Sequence, residues 1–141
     1  MNAAEFLDTN VLVYAYSPDS VKAPIARRLL EQAVAGQCWI SAQVLAEFVA
    51  VLLHKVHSPL EPIRVRQILD VISPIPLVPW RSDLVARAAE AHGKFGIHFY
   101  DGLIVAAAEH AGCRRIWSED LKPGQRYFGI EIVNPFTPKM S

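Results

Sequence analysis

The sequence predicts an α/β protein, a three-layer α/β/α sandwich around a central, mainly parallel sheet of about five strands. Five short apolar runs, each too short for a helix, alternate with segments whose apolar residues recur at helical spacing. A helix between consecutive strands is the connection that parallel pairing requires. The length of 141 residues, 52% of them apolar, suits one domain able to remove roughly 70% of its unfolded-chain surface from water. Residues 1–136 are read as that domain and residues 137–141 as a loose C-terminal tail. No internal repeat, low-complexity tract or linker interrupts it.

The predicted strands are Glu5-Phe6-Leu7, Cys38-Trp39-Ile40, Ile75-Pro76-Leu77-Val78, Arg115-Ile116-Trp117 and Ile130-Glu131-Ile132-Val133. Between the first two, residues 21–35 place Ile25, Leu29 and Ala33 on one helical face and stop at Gly36, a usual C-terminal residue. Ser41 suits the cap of a helix whose core face is Leu45, Phe48, Val49 and Leu52. Ser58-Pro59-Leu60-Glu61 has the capping-box pattern and is expected to open a helix that buries Val65, Ile68, Leu69 and Ile72. Residues 82–95 turn Leu84, Ala88 and Ala91 inward and Glu90 and Lys94 outward, four apart in the favourable order. Residues 101–111 form a further helix closed by Gly112. Helices on this pattern cover both faces of the sheet.

Fourteen basic side chains balance 14 acidic ones. No apolar run approaches the roughly 20 residues that span a bilayer, and residues 1–5 lack the basic start and apolar stretch of a signal peptide. These features predict a cytoplasmic protein with no membrane partner. Cys38 and Cys113 stand in no CxxC or Cys/His spacing, which makes small buried core residues of them rather than metal or redox groups. Neutrality argues against simple electrostatic capture of nucleic acid.

The acids carry the functional signal. Asp8 ends the first strand, Asp101 opens a helix and Asp120 follows the fourth strand, so a parallel sheet brings Asp8 and Asp120 to its carboxyl edge, where ligands bind. Glu47 sits in the apolar run Val44-Leu45-Ala46-Glu47-Phe48-Val49 and is expected to be sheltered from bulk water. Structural roles compete for each residue. Asp8 and Asp101 suit helix caps, Asp120 suits the turn Ser118-Glu119-Asp120, and Glu47 suits a pair with His54. Gathered together, the four would repel one another strongly and require a cation or protons. Oxygen-only donors suit a hard ion, Mg²⁺ or Mn²⁺, and with it water activation at a phosphodiester.

Four blocks then resemble a known family. Phe6-Leu7-Asp8-Thr9-Asn10-Val11-Leu12, Val44-Leu45-Ala46-Glu47-Phe48, Tyr100-Asp101-Gly102-Leu103-Ile104-Val105-Ala106-Ala107-Ala108 and Trp117-Ser118-Glu119-Asp120-Leu121 look like the motif blocks of the PIN-domain nucleases. The closing Asn134-Pro135-Phe136 is similar to the end of VapC-type toxins of bacterial toxin-antitoxin pairs. The resemblance spans nearly the whole chain. It implies a PIN-like fold and a Mg²⁺- or Mn²⁺-dependent endoribonuclease that leaves 5′-phosphate and 3′-hydroxyl ends. It also implies inhibition by a cognate antitoxin protein and a homodimer. By position, Asp8, Glu47, Asp101 and Asp120 match the acidic metal-binding and catalytic set, with Asp8 and Asp101 foremost. Asn10 would orient the Asp8 carboxylate or a metal-bound water, its alternative being a hydrogen bond to its own backbone at a helix start. Ser118 matches the Ser or Thr before the last acid, its alternative being a turn hydroxyl. Glu119 is an additional acid, and takes the place of Asp120 if the turn is shifted by one residue.

Setting the four acids aside leaves ten against 14 bases, an excess that reopens RNA as a substrate. Arg81, Arg87, Lys94, Arg114, Arg115, Lys122 and Arg126 are candidates for phosphate contacts or a solvated face, with Lys122 and Arg126, just past the last acidic block, best placed. Two other classes remain open. One is an interaction module without activity that presents Trp39, Trp80 or Trp117, which are equally suited to the core. The other is a phosphatase or phosphoacceptor using Asp8 as nucleophile. Asn10 stands where that chemistry calls for a second Asp, and no Lys is placed to neutralise a phosphoaspartate.

Overall fold

A computed structural model describes residues 4–55 and 57–137. The chain runs β1 (Glu5–Leu7), α1 (Thr9–Ala15), α2 (Lys22–Val34), β2 (Cys38–Ser41), α3 (Ala42–His54) and α4 (Pro62–Ile72). It continues through β3 (Leu77–Val78), α5 (Ser82–Phe95), α6 (Phe99–His110), β4 (Arg115–Trp117), β5 (Arg126–Tyr127) and β6 (Ile130–Val133). The strands form one six-stranded sheet in the order β3-β2-β1-β4-β6-β5, parallel except for the β5–β6 hairpin. With helices on it, the sheet makes the predicted three-layer α/β/α sandwich.

The core is built from the inward residues of the central strands, Phe6, Leu7, Ile40, Ile116 and Ile132, against Val11, Leu12, Phe48, Leu52, Ile104 and Val105 of the helices, all buried. Helix α6 is apolar almost all round because Gly102 to Ala108 are buried between α5 and the strands. Cys38 and Cys113 are free and buried, and burial pushes both thiols up to about 12, which leaves them unreactive. Among the described residues no helix is long and apolar enough to cross a membrane.

Several expectations need correction. The sheet has six strands rather than five because Phe128 and Gly129, at φ 51 and 81, make a two-residue turn that pairs Tyr127 with Ile130. Phenylalanine is not a turn residue, so β5 was illegible; Phe128 is held there by Arg87 over its ring at 3.5 Å and Phe95 edge-on at 5.0 Å. Helix α1 entered the sequence reading only through the cap alternative for Asp8, since seven residues show barely two turns of pattern. Helix α4 starts at Pro62 with Glu61 as its cap residue, and Ser58 lies outside it, because proline prefers the first helical position and holds the preceding residue extended. Helix α6 begins two residues before Asp101 and is capped by His98, so Asp101 is not a cap. Coverage is also uneven: Arg115, Trp117, Glu131 and Val133 are half-buried along one side of β4 and β6, where Arg115 bridges Glu5 and Glu131. Glu90 accepts from Arg87 at 2.6 Å rather than pairing with Lys94. Phe136 packs edge-on to Tyr14 at 4.9 Å and Thr137 is exposed, while the rest of the expected tail lies outside the described residues.

Gly102 sets the spacing of α5 and α6. A Cβ there would lie 2.7 Å from the Ala88 carbonyl oxygen. Gly102→Ala is expected to lower stability by about 1–3 kcal/mol in urea denaturation, reversing the usual gain from alanine in a helix. An unchanged or raised midpoint would show that the two helices separate freely.

Candidate active site

Parallel register brings the first and last acidic blocks together. Leu7 pairs with Trp117, so Asp8 and Ser118 leave β1 and β4 side by side, and the Asp8 N–H donates to the Trp117 carbonyl at 3.0 Å. Asp8 is only 6% exposed. Its Oδ1 accepts from the Thr9 N–H at 2.8 Å and its Oδ2 from the Ser118 hydroxyl at 2.7 Å. Asp8 is therefore the cap of α1, one of its two sequence readings, while still facing the other acids. Ser118 is fully buried, and its oxygen also accepts from the N–H groups of Asp120 at 3.1 Å and Leu121 at 3.0 Å. One hydroxyl thus fixes both the Asp8 carboxylate and the turn that carries Asp120.

Asn10 links the same turn to α1. Its Oδ1 accepts from the Glu119 N–H at 3.1 Å and its Nδ2 donates to Asp120 Oδ2 at 3.2 Å. It reaches Asp120, not Asp8 as expected. Glu119 points away to α1 and α2, where it accepts from the Tyr14 hydroxyl at 3.0 Å and the Lys22 ammonium at 2.6 Å. That ammonium also lies 4.6 Å from the Tyr14 ring centre. Tyr14 and Lys22 were missed in the sequence, since nothing local links them to a residue a hundred positions on.

Glu47 departs from expectation. It is exposed on α3, on the side that carries Ala46, Ala50 and Val51, while Val44, Phe48 and Leu52 fill the inward face. Its Oε1 accepts from the Thr9 hydroxyl at 3.3 Å, and His54 is not its partner. Even so, its charge reaches Asp8. Asp101, half-buried in the first turn of α6, lines an open cleft of about 370 Å³ with Asp120, Lys122, Gln125 and Tyr127. Arg126 turns its guanidinium back to the Gly129 carbonyl at 3.4 Å and does not line that cleft.

The electrostatics reflect this gathering. Burial pushes the Asp8 carboxyl up to about 6, against its two hydrogen bonds, and repulsion from Asp120 and Glu47 adds to the rise. Burial also raises Asp101, which His98 opposes and Asp120 reinforces. Tyr127 is raised by burial and then by Asp101. Among the described residues, no Lys or Arg forms an ion pair with Asp8, Glu47, Asp101 or Asp120. The basic residues go elsewhere: Arg81 to Asp83, Arg87 to Glu90 and Glu109, and Arg114 and Arg115 to Glu5.

Carboxylates that repel one another with no paired Lys or Arg among the described residues fit a hard divalent ion. Among the described residues no three His, Cys, Asp or Glu side chains form a ready-made cage. Mg²⁺ is typically held by one or two carboxylates and keeps several of its own waters, so this open arrangement suits it.

The fold and the site define an α/β domain with an acidic pocket at the carboxyl edge of its sheet. The sequence matches the family model described as PIN domain over residues 6–127, and the chain belongs to the PIN-domain family. Its fold is similar to that of a toxin-antitoxin complex from Klebsiella pneumoniae, at 19% identity and a TM-score of 0.70, covering 94% of this chain and 98% of that one. It is also similar to the Mycobacterium tuberculosis toxin VapC20, a sarcin-ricin loop cleaving toxin, at 18% identity and a TM-score of 0.64, covering 83% and 92%. FitAcB from Neisseria gonorrhoeae has a similar fold at 17% identity and a TM-score of 0.65, covering 93% and 97%. No curated protein sequence matches.

The raised Asp8 carboxyl has a measurable consequence. The folded state takes up its proton near pH 6 and the unfolded chain near 3.8, so stability is greatest below about pH 4 for this group and falls as pH rises through 6. The loss amounts to about 3 kcal/mol at most. In EDTA, Asp8→Asn is expected to gain stability relative to the parent by up to that amount between pH 4 and 7.5, read from urea denaturation at each pH. A difference that stays flat across the window would mean that Asp8 ionises as freely as in water.

Proposed function

We propose that this protein is a metal-dependent endoribonuclease, the toxin of a VapBC-type toxin-antitoxin pair. The observation that carries the reading is the set of four carboxylates in which Asp8 is repelled by Asp120 and Glu47, and Asp101 by Asp120, with no Lys or Arg paired to any of them among the described residues. Membership of the PIN-domain family and a fold shared with toxins of such pairs support it.

Asp8 and Asp101, with Glu47 and Asp120, would hold Mg²⁺ or Mn²⁺. When bound, the ion supplies an activated water and neutralises charge at the scissile phosphate. The remaining steps belong to the chain. Ser118 and the Thr9 N–H occupy one lone pair on each Asp8 oxygen and fix the direction of the others. Asn10 holds Asp120 through its carboxylate and holds the turn through the Glu119 N–H. Left uncompensated, the four charges repel a phosphodiester, which makes RNA binding conditional on the cation. Lys122, which lines the cleft with Asp101 and Asp120, would contact a flanking phosphate. A cognate antitoxin protein is the expected inhibitor, and a homodimer the expected assembly.

The phosphoacceptor reading loses ground on the same geometry. Both Asp8 oxygens accept hydrogen bonds, and no described Lys pairs with it as a phosphoaspartate would require.

Purified protein incubated with structured RNAs is expected to cleave them with Mn²⁺ and to stop with EDTA. Asp8→Asn and Asp101→Asn are each expected to abolish cleavage while keeping the fold, and a fully active variant would refute the assignment. Calorimetry separates the neighbouring acids: Asp120→Asn is expected to weaken Mn²⁺ binding by about tenfold or more, whereas Glu119→Gln shifts it by no more than about threefold. The reverse order would make Glu119 the ligand.

A further inference from the structure

Next to Asp101 stands an aromatic group that the proposed chemistry does not use. Tyr100 is 57% exposed although it opens the apolar helix α6. It does not hang loose. Its ring stacks on His98 with centres 5.7 Å apart and planes 19° from parallel, and its own N–H donates to His98 Nδ1 at 3.2 Å. Phe99 abuts it edge-on at 5.4 Å. From the other side, Gln43 of α3, itself buried, donates its amide to the Tyr100 carbonyl at 3.1 Å. A large ring is thus held open to solvent by contacts that fix its backbone and one flank.

Gln43, which holds the Tyr100 backbone, also lies near a second exposed ring. It lines the crevice that also includes Pro79 and Trp80, and Trp80, 59% exposed, follows the end of β3 at the same carboxyl edge of the sheet. The carboxyl edge therefore carries two exposed aromatic rings, Tyr100 beside Asp101 in the chain and Trp80 past the end of β3. An exposed ring normally gains nothing in stability by staying in water. Fixed aromatic faces beside a phosphate-processing centre are how proteins take up single-stranded nucleic acid, because every base has a face to stack and no particular sequence is required.

We propose that Tyr100, backed by His98, is a stacking platform for an unpaired RNA base adjacent to the phosphate handled at Asp101. Trp80 extends the platform along the same edge. This inference rests on the nuclease reading and deepens it by naming a residue of this chain that would hold a base beside the cleaved phosphate. It gives Tyr100 a binding role and leaves the ion to the carboxylates.

The test measures RNA and metal separately. A fluorescein-labelled, single-stranded RNA decamer is titrated with the protein, with Ca²⁺ replacing Mn²⁺ to slow cleavage, and read by anisotropy. Tyr100→Leu is expected to weaken binding by about 5- to 100-fold, the range for loss of one stacked base, while Tyr100→Phe and Tyr100→Trp stay within about threefold of the parent. Mn²⁺ affinity of Tyr100→Leu, by calorimetry, is expected to equal that of the parent. An unaltered RNA affinity in Tyr100→Leu overturns the platform. So does a Tyr100→Leu protein that changes from dimer to monomer in sedimentation with RNA affinity intact, which would make the ring a protein interface. A parent protein that binds Mn²⁺ but not the decamer overturns the platform alone, and one that binds neither overturns the nuclease reading with it.

Discussion

Burying the charge of Asp8 beside other carboxylates is the constraint on which this structure turns. The carboxyl sits almost wholly out of water, and its nearest charged neighbours, Asp120 and Glu47, carry the same sign. Such a group is stable as an anion only through hydrogen bonds or a counter-ion. The protein supplies two hydrogen bonds, from Thr9 and Ser118, and no ion-paired Lys or Arg among the described residues. The two bonds do not offset the burial, which is why the carboxyl remains pushed up to about 6. Elsewhere acids are treated differently: Glu5 meets two arginines and a tryptophan N–H, and Glu119 meets Lys22 and Tyr14. The contrast within one molecule separates acids paired inside the fold from acids with no paired Lys or Arg among the described residues, which are the ones proposed to hold a cation.

Holding repelling groups in place requires a rigid frame, and the frame is the parallel register of β1 and β4. Once Leu7 faces Trp117, Ser118 falls next to Asp8 without further adjustment. Its single buried hydroxyl then donates to one acid and accepts from the turn that bears another. Asn10 repeats the arrangement from the first turn of α1, with its carbonyl on the Glu119 N–H and its amide on Asp120. Lys22 and Tyr14 brace the outer side of that turn through Glu119. Removing any of these links loosens acids that repel one another, so the network acts as a unit.

Much of this was legible in the sequence where local pattern and tertiary position agree. Strand-end aspartates and alternating elements predicted the parallel sheet and its carboxyl edge, because both follow from spacing along the chain. Glu47 was misread because the run around it is apolar on every side, and only the packed helix shows that Ala46, Ala50 and Val51 share its open face. Hairpin β5–β6 escaped because its turn places Phe128 at positive φ, a conformation stabilised by Arg87 and Phe95 from a distant helix. Asn10 and Glu119 could be singled out but not connected, since their partners lie roughly a hundred residues away in the chain. Pattern reports which face a residue prefers; contacts across the sheet decide whom it meets.

The most direct measurement is an anomalous-diffraction map of crystals grown with Mn²⁺. A manganese peak is expected at bonding distance from the Asp8 and Asp101 carboxylates, with the Lys22–Glu119 pair left intact. A well-ordered crystal with no peak in that pocket, or with manganese bound only at acids already paired to Arg or Lys such as Glu5, would contradict it.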